Sequence, residues 1–438
     1  MAQASTAPSF LPSAGSVVNA SNELCNALPP SEPFEPLLYN NPAMLLIGDR
    51  LLFVHTAVRV YHPPSGKSPR ARWSADMETL TSFRHGRHLA VFRSRLYVGW
   101  DSPSRLLAGP RHTDGALRSH GLHPIAHLGL PSLLYGAERK YDLDEIDDGF
   151  RPCLHGTMTV EGPSDARLFR FAGSVYVQYA AWQCYPEDGR RRDGRGKLFA
   201  SQFLSRIEAE AGQMPQSQAS SRIHVSGVGT SAQLTIPGPS QHQKNWMPWV
   251  HEDELYFSVF PEPHAVASVD VAHLASNCTI PVHPRYNTSH ELLRSLQARW
   301  GKLSGGTPAI QAQCGSDEPV FLAIIHAKQA KSYANFAIAF SQARPFPVLN
   351  VSRMLPLVCA PRGLGPYGFN GSLRTARICF PTGIQIVDGH LFVAYGAGDA
   401  ESRLWTIAWS TFCSDFLLAK EQEHLLASGL EQFFAHPS

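Results

Sequence analysis

Apolar residues along this chain recur in short runs with a period of two, broken by tight polar turns. Alternation of that kind puts one face of a strand on a core and the other toward solvent. The unit is an apolar strand, a turn and a second alternating strand. It is read at AMLLIGDRLLFVHTAV, LAVFRSRLYVGW, ARLFRFAGSVYVQYA, WMPWVHEDELYFSVF, PVFLAIIHAK and GIQIVDGHLFVAYGA. Each segment predicts a β-hairpin, and together they predict an antiparallel, all-β chain.

The later turns fall at Gly173, Asp253, Asp317 and Gly389, spaced 80, 64 and 72 residues apart. A hairpin recurring at so long and irregular a period suits radially arranged four-stranded blades with variable loops. At ~70 to 80 residues per blade the chain predicts a five-bladed β-propeller over residues 39–412. A pair of β-sandwiches is the competing architecture; it needs a mid-chain linker, and no Pro/Gly-rich stretch is long enough to supply one. Residues 1–38 are rich in Ala, Ser and Pro without apolar periodicity, and are expected to form a disordered leader. HELLRSLQARW (His290 to Trp300) and SDFLLAKEQEHLLASGLEQFF (Ser414 to Phe434) have helical spacing. They predict a helix in a loop insertion and, over 413–438, a C-terminal helix packed on the propeller side.

Composition narrows the function. A formal charge of +2 in 438 residues offers no basic field for nucleic acid, and RRRDGRGK (Arg190 to Lys197) reads as a solvated loop. No apolar run reaches the ~18 to 20 residues of a membrane span. Five asparagines, Asn19, Asn277, Asn287, Asn350 and Asn370, sit in Asn-x-Ser/Thr sequons. The eight cysteines permit disulfides but form no C-x-x-C pair, so no zinc or redox motif is indicated. These features leave a secretory-pathway and a cytoplasmic location both open, and oligomeric state unread.

Two acids stand at hairpin edges, where an all-β scaffold can aim a carboxylate into a shared cavity: Asp165 in EGPSDARLF and Asp399 in AYGAGD. Lys244 and Asn245 lie in QKNWMPW beside Trp246 and Trp249, a mixture of indole faces and polar groups that suits a sugar. The same tryptophans fit a strand core equally well. His326 ends an apolar strand, and Gly305-Gly306-Thr307-Pro308 is a turn that lets backbone approach a ligand or is a plain loop. Nucleotide, esterase and zinc-protease motifs are missing from the sequence.

In order along residues 41 to 410, Asn41-Pro42, GPSDARLF, QKNWMPW, His326 with Tyr333, CFPTG (Cys379 to Gly383) and YGAGD resemble the β-mannoside phosphorylases and related β-1,2-mannosyl enzymes, which are five-bladed propellers. The resemblance implies a carbohydrate-active enzyme that cleaves or makes β-linked mannosides by phosphorolysis, hydrolysis or transfer. Asp165 is then the general acid, and Asn41, Arg167, Lys244, Asn245, His326, Tyr333 and Asp399 bind substrate. It implies an oligosaccharide partner and no metal or organic cofactor, with inorganic phosphate as a co-substrate. The chain departs from the family pattern at Ser164 and Ala166, where members carry Glu and Pro, and only Arg59 answers to an arginine after the first strand. A catalytically degenerate glycan-binding propeller and a protein-interaction propeller are the alternatives.

Two geometric expectations follow. Asn41, Asp165, Lys244, His326 and Asp399, each on a different blade, should ring one central cavity. Asp165, as a proton donor near neutral pH, should have a raised pKa.

Overall fold

The computed structural model describes residues 38–61, 90–108, 121–124, 132–133, 158–161, 163–185, 197–210, 224–236, 244–272, 274, 279–315, 317–329, 332–359, 378–398 and 401–417. The described residues are almost wholly β-strands arranged as successive antiparallel runs. The first run is β1 (Leu38–Ile47), β2 (Arg50–Tyr61) and β3 (Ala90–Asp101). Then β4 (Gly121–Pro124) leaves for a distant sheet, while β5 (Ser132–Leu133) and β6 (Met158–Glu161) both pair with β3. The second run is β7 (Pro163–Phe171), β8 (Ser174–Tyr185), β9 (Lys197–Glu210) and β10 (His224–Thr235). The third is β11 (Met247–His251), β12 (Glu254–Pro261), β13 (His264–Val269) and β14 (Thr279–Thr288). These two runs share one eight-stranded sheet, because β10 and β14 pair in parallel at Gln233–Thr235 and Thr279–Pro281.

The fourth run has β15 (Lys302–Gly305) and β16 (Ile310–Ala312) both on β17 (Val320–Gln329), followed by β18 (Ser332–Ser341) and β19 (Val348–Val351). The last is β20 (Cys379–Val387), β21 (His390–Ala397) and β22 (Glu401–Ala408), completed by β4 from the early part of the chain. That return of an early strand to the last sheet ties the two ends of the fold together.

Side-chain packing closes the circle. Leu52, Val54 and Leu96 of the first run pack with Leu168, Val177 and Phe203 of the second, whose Phe169 and Leu204 pack with Leu255 and Phe257 of the third. Trp249 and Tyr256 of the third meet Phe321 and Phe336 of the fourth, and Leu322 and Ile324 of the fourth meet Ile384 and Leu391 of the last. Phe392 and Leu404 of the last return to Met44 and Phe53 of the first. Each run is thus covered on both faces by its neighbours, and the hydrophobic effect acts between runs rather than in one central core.

This arrangement explains where the periodicity misled. PVFLAIIHAK, expected as a hairpin, is the single strand β17: Phe321, Ala323 and Ile325 face one apolar layer and Leu322 and Ile324 the other, so polar alternation disappears. LAVFRSRLYVGW is likewise the single strand β3, since Arg93-Ser94 supplies none of the Gly, Asn or Asp that a two-residue hairpin turn favours. The other four hairpins form as expected. Three turn on dipeptides with both φ values positive, Ala172-Gly173, Glu252-Asp253 and Asp388-Gly389, the geometry that matches strand twist.

The helix Glu291–Trp300 forms in the β14–β15 connection and buries Leu292, Leu293 and Leu296. A short helix, Trp409–Asp415, seats Phe412 near Trp405. The expected leader over residues 1–38 lies outside the described residues except at Leu38, which opens β1. Of the expected helix over 413–438, residues 413–415 belong to the short helix that ends at Asp415, and the residues beyond Leu417 lie outside the described residues. Disulfides join Cys314 to Cys413 and Cys359 to Cys379, and no described cysteine is free. No described helix is long and apolar enough to cross a membrane.

Candidate active site

The first strand of every run is interrupted near one end. The β1/β2 register slips between Asn40 and Ala43, β7/β8 between Ser164 and Arg167, and β20/β21 between Pro381 and Gly383. β11 starts only after Lys244–Trp246, and β15 and β16 are separated by residues 306–309. A bulge re-aims a side chain that the pleat would otherwise send into an apolar layer. Here the bulges bring polar residues together.

Asn41, Asp165 and Asn245 have φ of 46°, 54° and 66° and are all buried. The other positive-φ residues lie in hairpin turns, apart from Phe346. Left-handed backbone at a non-glycine residue costs on the order of 1–3 kcal/mol, least for Asn and Asp. Three such residues meeting in one place are held there by the surrounding ring. Close approach enforces it: a Cβ on Gly396 would overlap the Asn41 amide, and one on Gly305 would overlap the Asn245 carbonyl.

The Asp165 carboxylate is the hub. Asn41 Nδ2 donates to its Oδ1 at 2.7 Å, and Lys244 Nζ lies 2.8 Å from its Oδ2. The Asp165 main-chain N–H donates to Thr56 Oγ1 at 3.2 Å. Arg167, completely buried, does not touch the carboxylate. It donates from Nη1 to the Asp165 carbonyl and from Nε to the Gly306 carbonyl, both at 2.6 Å, and so clamps the bulge. Its Nη2 is buried without a hydrogen-bond partner, and the guanidinium lies 5.6 Å from the centre of the Phe380 ring. Gly306 thus serves the Arg167 side chain, while Thr307 bonds back to Ile324.

His326 also packs against Phe380. Its ring stacks on Tyr333 at 4.6 Å and meets Phe380 edge-on at 5.2 Å, and its Nδ1 is buried without a hydrogen-bond partner. Buried Asn335 and Thr382 also each keep one unpartnered oxygen, as do Asn41 and Asn245. Lys244, at 31% exposure, is the half-open member of the group.

Electrostatics follow from this cast. Burial pushes the Asp165 carboxyl up, but the Lys244 charge and hydrogen bond, Arg167 and Asn41 together outweigh it, leaving Asp165 below its ordinary value. The expectation of a raised pKa is therefore wrong for the ligand-free site: a lysine at contact distance overrides burial. Burial lowers Arg167 to about 10, against the opposing pull of Asp165. Burial, reinforced by Arg167 and Lys244, lowers His326 to about 3, so its imidazole is neutral.

Of the residues singled out in the sequence, Asn41, Asp165, Arg167, Lys244 and Asn245 are drawn together, with His326 and Tyr333 beside them. Asp399 lies outside the described residues, and nothing is described of the Arg59 side chain on β2. Trp246 and Trp249 are core and offer no face to a sugar: Trp246 packs on Phe257, and Trp249 stacks on Tyr256 with its Nε1 donating to Ser258. Thr56 and Asn335 were not singled out, and Phe380 and Thr382 entered only as part of the CFPTG motif, without a role. A usable signal was present, a polar residue seven positions before a hairpin turn: Asn41 before Gly48, Asp165 before Ala172, Asn245 before Glu252. Among the described residues no cluster of three or more His, Cys, Asp or Glu side chains could hold a metal ion.

No protein-family model matches this sequence, and no curated protein matches it. Solved structures do. A β-1,2-mannobiose phosphorylase from Listeria innocua is 11% identical, with 90% of this chain and 97% of that one covered at a TM-score of 0.43. A GH130 structure described with glycoside hydrolases that target β-1,2 mannosidic linkages in Candida mannan is 12% identical, covering 85% of each chain at 0.42. A GDP-Man-dependent mannosyltransferase from Leishmania mexicana is 8% identical, covering 87% of this chain and 88% of that one at 0.33. Likeness of this degree assigns the chain no activity.

Proposed function

We propose that the five runs are blades of one propeller and that its centre is the active site of a carbohydrate-active enzyme acting on β-linked mannosides or similar oligosaccharides. The observation that carries this is the convergence of three left-handed residues, Asn41, Asp165 and Asn245, with two cations around one buried carboxylate. Strain and unpartnered polar atoms kept together at a fold's centre are what a polyhydroxylated ligand would satisfy.

Phosphorolysis fits the charges best. Arg167 and Lys244 face one carboxylate and a neutral imidazole, so the site holds surplus positive charge and an unused guanidinium nitrogen. Inorganic phosphate, attacking the anomeric carbon as the bond to the bridging oxygen breaks, would supply both the nucleophile and the missing negative charge. Its arrival also makes Asp165 an acid. When phosphate draws off Lys244, burial becomes the dominant influence and the carboxyl takes up a proton, which it passes to the departing bridging oxygen. Asp399 takes a sugar-hydroxyl-binding role in the same scheme.

A binding-only propeller is the second reading, favoured by the Lys244–Asp165 ion pair and by the loss of Glu and Pro around Asp165. One assay separates the two. Incubated with β-mannosides, the protein should release sugar 1-phosphate only when phosphate is present, and Asp165→Asn should lower the rate ~10²- to 10⁴-fold. Sugar binding with no turnover in either protein would leave the binding-only reading standing.

A further inference from the structure

The central site leaves one group of sequence motifs unused, the sequons. Asn287-Thr288-Ser289 lies at the end of β14, the outermost strand of its run, where Asn287 stands opposite Ala265. Asn287 and Ser289 are both exposed. The sequon in Asn350-Val351-Ser352 differs. Asn350 is half-buried, and the buried Ser352 hydroxyl accepts from the Ala337 N–H and donates to the Arg353 carbonyl. Asn19, Asn277 and Asn370 lie outside the described residues.

A second observation is independent of the first. The Cys314–Cys413 bond links the β16–β17 connection to the helix Trp409–Asp415 across 99 residues of sequence, and the Cys359–Cys379 bond anchors the start of β20. Paired cysteines of this sort form and persist in oxidising compartments. N-linked glycans are added along the same route.

We infer that Asn287 carries an N-linked glycan and that the chain folds in an oxidising compartment. The donor is a polyprenol-diphosphate-linked oligosaccharide. The Asn287 Nδ2 forms the bond to the anomeric carbon, the carbon–oxygen bond to the diphosphate breaks, and the amide proton leaves with the diphosphate. An outer strand is the right place for such a bulky group. It extends into solvent at the rim, away from the inner strands that bear Asn41 and Asp165 and from Lys244 just before β11.

The test uses the full-length protein purified from the cells that make it, without an added signal. Non-reduced protein is alkylated, then digested and treated with peptide N-glycosidase in heavy-oxygen water. The Asn287 peptide should appear as heavy-labelled aspartate, and Cys314 and Cys413 should be protected from alkylation. An Asn287→Gln variant should lose the mass of one glycan. An unmodified Asn287 peptide, or alkylated Cys314 and Cys413, overturns the inference. Neither outcome depends on whether the protein turns over a sugar.

Discussion

His264 and His326 are equally buried, at 1% exposure each, and both are held neutral by burial, to about 4 and about 3. Their partners differ. His264, in the apolar layer between the third and fourth runs, uses both ring nitrogens, Nε2 with the Ser258 hydroxyl at 2.8 Å and Nδ1 with the Phe346 carbonyl at 2.9 Å. His326, at the centre, leaves Nδ1 unpartnered. An unsatisfied buried polar atom costs ~1–3 kcal/mol, and selection for stability alone would remove it. The contrast separates a histidine whose ring nitrogens tie the layers together from one that leaves a buried nitrogen unsatisfied, and it extends to their neighbours. Around Trp249 aromatic rings fill the space between layers, whereas around Asp165 several polar atoms wait for partners.

Removing the charge that holds Asp165 ionised gives the largest effect on the central side of that contrast. Lys244→Met deletes the ion pair while keeping the length of the side chain. Asp165 then loses its main counter-charge, and its pKa should rise toward the value burial favours. Phosphate-dependent activity should fall ~10²-fold, and the alkaline limb of the pH profile, where the required protonated Asp165 is lost, should shift to higher pH. A profile unmoved by the substitution would show that Asp165 does not govern the rate.

The histidine pair gives an intermediate effect. His264→Ala strands Ser258 and the Phe346 carbonyl and opens a cavity, so it should cost about 2–4 kcal/mol in a urea titration. His326→Ala removes an unsatisfied group and should cost less. Its loss should appear instead in ligand affinity, read by calorimetry with phosphate or a mannoside. Equal destabilisation by both would erase the distinction drawn between them.

The strand-rich fold was legible because short apolar runs end in tight polar turns, three of them with both φ values positive, even where layers cover both faces of a strand. The hairpin reading failed at β17, an apolar run with no such turn inside it. At the centre, Asn41, Asp165 and Lys244 were legible as polar residues beside strand starts. Their environment was not, because the ion pair that sets the Asp165 pKa joins residues far apart in sequence and exists only once the ring has closed. Nor could periodicity assign Trp246 and Trp249, since an indole facing a sugar and one facing a core leave the same pattern.

The smallest effect of a single substitution at neutral pH lies in the pH dependence of stability. His55, His264 and His326 all have folded-state pKa values well below the ordinary 6.5, at about 4, 4 and 3. The unfolded chain therefore takes up protons first as the pH falls, and stability that is full above ~6.5 declines as the pH drops toward 4. Asp165 acts in the same direction in a lower window. Its folded pKa lies below the unfolded value of 3.8, so its contribution is present above 3.8 and is lost only below it. Tm should thus fall in two stages on acidification, the first carried by histidines and the second by carboxylates. His264→Phe should flatten part of the first stage and leave the second unchanged, because it removes one titrating imidazole without touching the Asp165 ion pair. A first stage unaltered by His264→Phe would mean that the folded protein protonates His264 as readily as the unfolded chain does, and the neutral, doubly bonded histidine between the layers would be wrong.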